Sequence, residues 1–368
     1  MSLRIAIVNS IDGVSNEKKA QKTYEILSSF GYECQIIDVS TINIHFSVFY
    51  AHSLKEFLSI FYSYVLFLIE RFQYFFHIKE DYPFIEKANL QALELFYFYK
   101  INTYDVLICQ IADVAPVLTY DFSGLKICDL PTPWVEELKF SNQYSKFYIS
   151  KLKKWENHFL DSSDHITYGW YSYVEYAKKY LYKGKKYFIS NWGCDANEAS
   201  ASYMKSPRIV FVGYLSGYWA NLPLLSFLTK ICPYQIDVYG TPEPPKNLGL
   251  HYKGYLKDTS VLKNYQFGLL TISKDRLRKK GWSFKQMDYI SYGLPILMPS
   301  WRRDPVFKDV CIYFSKKNFL KKINEYTDEY KWTAVSRKAK KLSADYQWKT
   351  TMKPLVEIIK NYAFLKKF

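Results

Sequence analysis

The chain of 368 residues lacks the motifs of the common nucleotide and hydrolytic enzymes. No GxGxxG follows the first strand-like run. The turn there reads Asn9-Ser10-Ile11-Asp12-Gly13 and offers no glycine series for backbone to approach a pyrophosphate, which disfavours dinucleotide dehydrogenases. The absence of GxxxxGK[ST] disfavours P-loop chemistry, and GxSxG and HExxH are missing too. No Asp-x-Asp pair is available to hold a divalent metal against a nucleotide sugar. The six cysteines, Cys34, Cys109, Cys128, Cys194, Cys232 and Cys311, have no CxxC or ligand-like spacing. Most lie in or beside apolar runs, which reads as reduced, buried thiols of a cytosolic protein. No signal-peptide pattern, internal repeat or low-complexity tract is visible. The apolar run Phe57 to Ile69, at 1.5 Å per residue, falls short of a ~30 Å hydrocarbon core. It reads either as a buried helix or as an aromatic surface that touches lipid.

What is present is apolar bulk, aromatic rings and positive charge. An apolar fraction of 49% allows full cores, and the length favours two domains. Aromatics reach 19%, with 35 tyrosines and 26 phenylalanines. The formal charge of +15 calls for anionic partners: nucleotide phosphates, nucleic acid or an acidic membrane face. A compositional habit of the genome would produce the same excess. The charges spread over both halves and the aromatics cluster in apolar runs, which disfavours a nucleic-acid-binding module.

Leu3 to Val8 and Glu33 to Val39 read as buried strands flanking a helix from Lys18 to Phe30, a βαβ arrangement with a parallel sheet. Further strands are expected at Asp105 to Gln110, Leu125 to Asp129, His165 to Tyr168 and Tyr187 to Ile189. A long helix is expected near Tyr144 to Leu160. A second round begins near residue 205, with strands at Arg208 to Val212, Gln235 to Tyr239, His251 to Tyr255, Phe267 to Ile272 and Pro295 to Met298, and a helix from Pro223 to Ile231. The expected fold class is α/β with two doubly wound domains, residues 1–198 and 199–349. A last helix, about 350–368, is free to pack back on the first domain. Ligands of such sheets bind beyond the carboxyl ends of the strands, and in a two-domain protein that places the site in the cleft between them.

The segment Ser283 to Ile296 carries the most information. Ser283 and Gln286 form a capping box, so a helix starts there, and Gly293 with Pro295 stops it. Lys285 and Asp288 share one face beside the helix N-terminus, where backbone N–H groups and the dipole favour an anion. An ordinary capped surface helix with an ion pair fits the same residues. Asp129 ends a strand ahead of Leu130-Pro131-Thr132-Pro133 and is placed to take a proton from an acceptor hydroxyl; a turn-capping Asp reads identically. Gly213-Tyr214 and Gly240 end two strands of the second half, where glycine permits close approach of a ligand or makes a simple turn. Ser273 ends another, ahead of a basic loop with Lys274, Arg276, Arg278, Lys279 and Lys280.

These residues resemble the donor domain of GT-B glycosyltransferases. Lys285-Gln286-Met287-Asp288-Tyr289-Ile290-Ser291-Tyr292-Gly293-Leu294-Pro295 is similar to the family's Lys-x-x-Glu-Tyr-x-x-x-Gly-x-Pro signature. Val212-Gly213, Ser190-Asn191-Trp192-Gly193-Cys194-Asp195 and Tyr346-Gln347-Trp348 match in outline. Asp288 replaces the usual Glu. Lys280 stands where retaining members often carry a second Glu, so the pattern is closer to the inverting, xanthan-type glucuronosyltransferases.

The resemblance implies transfer of a sugar from a nucleotide-diphosphate sugar, UDP- or GDP-linked, to a glycan or polyprenyl-linked acceptor. Asp129 would be the base, Lys285 and Arg276 would meet the diphosphate, Asp288 the ribose, and Gly213, Tyr214, Gly240, Ser273 and Gln286 would complete the donor side. Ser10, Asp12 and Gly13 are acceptor-side candidates. No metal or cofactor is expected. The expected location is the cytoplasm, with peripheral attachment to the inner face of the plasma membrane through Phe57 to Phe76 and the basic tail. A non-catalytic nucleotide-sugar-binding protein is the competing reading.

Overall fold

The computed structural model describes residues 2–367 apart from 10–13, 40–53, 77–83, 98, 142–143, 181–186, 190–191, 217–219, 276, 280 and 282. The chain divides into two compact units, Met1–Asn191 with Thr351–Phe368, and Trp192–Thr350.

The first unit runs β1 (Arg4–Asn9), α1 (Val14–Ser29), β2 (Glu33–Asp38), α2 (Leu54–Phe75), α3 (Phe84–Tyr97), β3 (Val106–Cys109), β4 (Leu125–Leu130), α4 (Trp134–Ser141), α5 (Lys146–Asp161), β5 (His165–Tyr168), α6 (Tyr171–Tyr180) and β6 (Tyr187–Ile189). All six strands are parallel, in the order β2-β1-β3-β4-β5-β6. Helices cover both faces of such a sheet, which is why Ile5, Ile7, Val8, Leu107 and Ile108 are apolar without alternation and fully buried. Alongside, Tyr148 of α5 caps α3: its hydroxyl accepts from the backbone N–H of Phe84 at 2.9 Å and of Ile85 at 3.3 Å.

The run from Phe57 to Ile69 lies within the longer helix α2. Phe67 of α2 packs on Leu90 of α3, with Tyr64 and Tyr97 beside them. Along much of its length, however, α2 shows apolar side chains to solvent, with Tyr62 65% and Phe75 74% exposed. The buried-helix reading therefore gives way to an exposed aromatic surface. Among the described residues no helix is long and apolar enough to cross a membrane.

The second unit runs β7 (Ile209–Tyr214), α7 (Leu222–Ile231), β8 (Ile236–Thr241), β9 (His251–Tyr252), β10 (Phe267–Leu269), α8 (Phe284–Ser291), β11 (Ile296–Pro299), β12 (Cys311–Phe314), α9 (Phe319–Glu325), α10 (Glu329–Asp345) and α11 (Trp348–Thr351). Its sheet is parallel with order β12-β11-β10-β7-β8-β9. The expected strands at 251–255 and 267–272 are shorter, and β12 is an added edge strand that four residues alone do not announce. The expected single C-terminal helix is broken: α11 ends at Thr351 and α12 (Lys353–Leu365) restarts with Pro354 in its first turn, where a missing N–H costs nothing. Helix α12 packs within the first unit, where Thr23 Oγ1 donates to Met352 Sδ at 3.8 Å and Lys366 pairs with Asp105.

The start of the second sheet is clamped by one carboxylate. Asp237 of β8 is fully buried and accepts from Arg208 (2.8 Å), Gln235 (2.6 Å), Tyr265 (2.7 Å) and the His251 ring. Burial alone would raise its pKa; the hydrogen bonds from Gln235, Tyr265, His251 and Arg208 outweigh it and hold the group down at about 2. A depressed carboxylate pKa stabilises the fold above the unfolded value and loses that stabilisation as pH falls through the folded one. Asp237→Asn should therefore cost roughly 2 kcal/mol at neutral pH and flatten the loss of stability between about pH 4 and pH 2. Urea midpoints across that range check it; an unchanged acid slope in the variant would remove Asp237 as its source.

Candidate functional site

Helix α8 begins at Ser283, whose backbone N–H donates to Gln286 Oε1 at 3.0 Å. It closes at Gly293, φ +71°, where Gly293 N–H donates to the Ile290 carbonyl and Leu294 N–H to the Tyr289 carbonyl. Glycine adopts that left-handed backbone without a Cβ penalty. Tyr289 sets the helix against the sheet. Its hydroxyl accepts from Val212 N–H at 3.0 Å and lies 3.3 Å from the carbonyls of Val210 and Leu269, tying β7 to β10. A Cβ at Gly268 would overlap the Tyr289 ring, so that glycine makes the wedge possible. Before the helix, buried Arg302 donates to the Gly281 carbonyl (Nε, 3.1 Å) and to Asp304 (3.0 Å), holding the loop that delivers Ser283.

This construction places α8's N-terminus at the carboxyl ends of β7 and β10. Those neighbouring strands are where the strand order reverses, the crevice in which doubly wound sheets bind ligands. A cavity of about 60 Å³ lies there, lined by Phe211, Thr271, Arg278, Ser283 and Lys285 among others. Lys285 Nζ lies 5.0 Å from the Phe211 ring centroid and has no carboxylate or hydrogen-bond partner among the described residues. Desolvation, and then the Arg278 charge, push its pKa down to about 8. Two cations held close in a crevice of low polarity form a site that an anion would relieve.

Gly213 and Gly240 face each other across β7 and β8. A Cβ on Gly213 would overlap Lys285 Nζ and Cε, and one on Gly240 would overlap the Gly213 carbonyl oxygen. The close approach these glycines permit is that of the Lys285 side chain and of the neighbouring strand. Tyr214 is exposed at the end of β7. Ser273 Oγ donates to Asp275 at 2.6 Å, and Asp275 accepts from Arg278 N–H at 2.8 Å, so Ser273 shapes the basic loop. Asp288 lies on α8 one turn from Lys285, half-buried. Arg276 and Lys280 fall outside the described residues, as do Ser190, Asn191, Ser10, Asp12 and Gly13. Arg302 is a contributor with no sequence signal of its own; Arg278 is one cation of the basic loop and Tyr289 part of the signature segment, and their contacts come from the fold. The two motifs flanking this unit pair with one another: Cys194 N–H donates to the Tyr346 carbonyl at 2.8 Å, and Trp348 N–H to that of Cys194 at 3.3 Å.

In the first unit, Asp129 departs from the role of an accessible base. It is 0% exposed and accepts from Lys19 Nζ at 2.7 Å and Gln110 Nε2 at 3.3 Å. Gln110 also donates to Thr23 and accepts from Asn9 Nδ2 at 3.1 Å. The network fills the carboxyl ends of β1, β3 and β4. A carboxylate so enclosed presents neither oxygen to an acceptor hydroxyl, and its work here is to neutralise Lys19. The signal for Lys19 is its place four residues before Thr23 and eight before Leu27, on the buried stripe of α1. Asp129→Asn should leave that lysine uncompensated and lower the unfolding free energy by roughly 3–5 kcal/mol, whereas Lys19→Met with Asp129→Leu should restore much of it. Urea denaturation of the two variants measures the difference; a neutral Asp129→Asn would free the carboxylate for another role.

No protein-family model matches the sequence, and no protein of curated function matches it. Solved structures do match in three dimensions. Sucrose-phosphate synthase from Thermosynechococcus elongatus superposes with a TM-score of 0.66 over 98% of this chain and 99% of its own, at 11% identity. A glycosyltransferase from Rickettsia africae ESF-5 gives 0.59 over 98% and 99%, again at 11% identity. A variant of S. aureus TarM, solved with fondaparinux, α-GlcNAc-glycerol and UDP, gives 0.54 over 73% and 58%, at 9% identity. Such likeness establishes architecture: the chain has the GT-B fold, two Rossmann-like α/β domains.

Proposed function

We propose that this protein is a glycosyltransferase that binds a nucleotide-diphosphate sugar, UDP- or GDP-linked, in the second unit and passes the sugar to a glycan or lipid-linked acceptor. The observation that carries the reading is the Lys285 ammonium, without a carboxylate partner among the described residues, at the N-terminus of α8, beside Arg278, on the β7/β10 crevice. A diphosphate is the anion whose charge grows as the glycosidic bond breaks. Fixed cations and backbone N–H groups stabilise that growth without reorganising. Asp288 is assigned to the ribose and Arg276 to the phosphates, as the family pattern implies. No metal is invoked. No step is routed through Asp129, whose enclosure favours one competing reading, a protein that binds a nucleotide sugar without transferring it. Release of UDP or GDP from its sugar in the presence of acceptor glycans separates the two.

The donor site is tested by thermal shift and titration with UDP, GDP and ADP. Binding to the folded state raises the melting temperature according to concentration over dissociation constant. The diphosphate prefers protonated Lys285, so affinity should fall as pH rises through the Lys285 pKa of about 8. Lys285→Met should weaken binding by about tenfold to a hundredfold and abolish that pH step. Absence of any shift with all three nucleotides would falsify the proposal.

For location, we infer peripheral attachment to an anionic membrane through α2. Its exposed Phe72 and Phe75, together with the net charge of +15, fit an interfacial helix on acidic lipid. In flotation assays the protein should rise with phosphatidylglycerol vesicles but not with phosphatidylcholine alone, and Phe72→Ser with Phe75→Ser should return it to the bottom fraction. Equal recovery with both lipids, or with neither, contradicts this.

A further inference from the structure

A larger cavity, of about 390 Å³, lies within the first unit, and nothing in the nucleotide reading uses it. It is lined by Ser63 of α2; by Asn89, Leu93 and Tyr97, spaced four apart along α3; by Thr119 and Tyr120 ahead of β4; and by Trp155, His158 and Phe159 of α5. Tyr97 ends the helix that leads into β3, Tyr120 precedes β4, and His158 and Phe159 end the helix that leads into β5. The cavity therefore opens at the amino-terminal edge of the sheet. The Asp129 network sits at the carboxyl edge, so the two are opposite ends of one unit.

The lining defines a ligand by what it has and what it omits. Among the described lining residues there is no Asp, Glu, Lys or Arg, so a phosphate or carboxylate finds no counter-charge from them. Aromatic and apolar surfaces from Trp155, Phe159, Leu93 and Pro116 face polar groups on several walls. The indole is pinned, because Trp155 Nε1 donates to Asn89 Oδ1 at 3.0 Å. That leaves the Asn89 amide N–H₂, the His158 ring and the Tyr97 and Tyr120 hydroxyls without hydrogen-bond partners among the described residues. A ligand with apolar C–H faces for the rings and hydroxyls around its rim satisfies both sets of groups; a flat hydrocarbon satisfies only one. The volume falls in the lower range of small-ligand pockets.

We propose that this cavity is a neutral saccharide-binding site, separate from the donor crevice, that holds part of a glycan at the amino-terminal edge of the first unit. Trp155 supplies the stacking platform, while Asn89, His158 and the two tyrosine hydroxyls read the ring hydroxyls. The inference stands without the nucleotide assignment, because neither its residues nor its ligand overlap with the Lys285 site.

The test is isothermal titration of the full chain with neutral tetrasaccharides of glucose, mannose, galactose and N-acetylglucosamine, with UDP titrated in parallel. Asn89 and His158 are exposed, so Asn89→Ala with His158→Ala leaves the core intact; an unchanged melting temperature confirms that. At least one tetrasaccharide should bind the parent, and the double variant should bind it at least tenfold more weakly with UDP affinity unchanged. Lys285→Met should show the reverse pattern. Failure of all four sugars to bind, sugar binding that survives the double variant, or sugar binding lost in Lys285→Met would each overturn the proposal. A failed UDP titration beside a positive sugar titration would sink the donor reading alone.

Discussion

The second unit is organised around a lysine that has no counter-ion among the described residues. Lys285 reaches from the first turn of α8 across Gly213 to the face of Phe211, and every neighbouring feature serves that placement. Gly213 has no side chain because the ammonium occupies its space, and Gly240 has none because it abuts the Gly213 carbonyl. Tyr289 wedges α8 against β7 and β10, and Arg302 with Asp304 fixes the incoming loop. Enlarging either glycine or loosening the wedge moves the cation. Desolvation there, and then the Arg278 charge, push its pKa down to about 8.

The first unit meets the same topological situation and resolves it differently. Its strand order reverses between β1 and β3, where Asn9 and Gln110 end neighbouring strands. Here the buried charges pair within the fold: Asn9 bonds Gln110, Gln110 bonds Thr23 and Asp129, and Asp129 neutralises Lys19. A buried charge paired within the fold rigidifies a site, whereas one without a counter-charge favours a ligand that supplies it. Each crossover point holds a lysine, and the two differ in whether a carboxylate among the described residues pairs with it.

Much of this architecture is legible in the chain. Apolar runs without alternation, such as Ile5 to Val8, announce buried parallel strands, and Ser283 with Gln286 and Gly293 brackets α8 from sequence alone. What escapes sequence reasoning involves partners far away in the chain. Lys19 and Asp129 are 110 residues apart, and the Tyr289 hydroxyl meets Val210 across 79. Read singly, Asp129 is a strand-end carboxylate available for proton transfer; only the fold reveals the lysine beneath it. Gly213 was legible as a close-approach glycine, but what approaches is a side chain from another element. The exposure of α2 escapes for a related reason: an aromatic run states what is apolar and leaves unsaid whether anything covers it.

Two lysines on two helices thus receive opposite assignments from one physical criterion. A charge withdrawn from water loses several kcal/mol of hydration, and the loss is tolerable when an opposite charge sits at hydrogen-bond distance. Lys19, 2% exposed, meets Asp129 at 2.7 Å, so its ammonium is satisfied within the fold and has nothing left to offer a ligand. Lys285 meets an aromatic ring and a second cation and has no carboxylate partner among the described residues, so an anion from outside the chain would stabilise it. The saccharide cavity extends the criterion to neutral chemistry. Among the described residues no charged side chain lines it, and the Asn89 N–H₂, the His158 ring and the Tyr97 and Tyr120 hydroxyls have no hydrogen-bond partner there. In each case the ligand class follows from what the protein leaves unsatisfied: an anion where a cation stands alone, and a polyol where neutral donors and acceptors do.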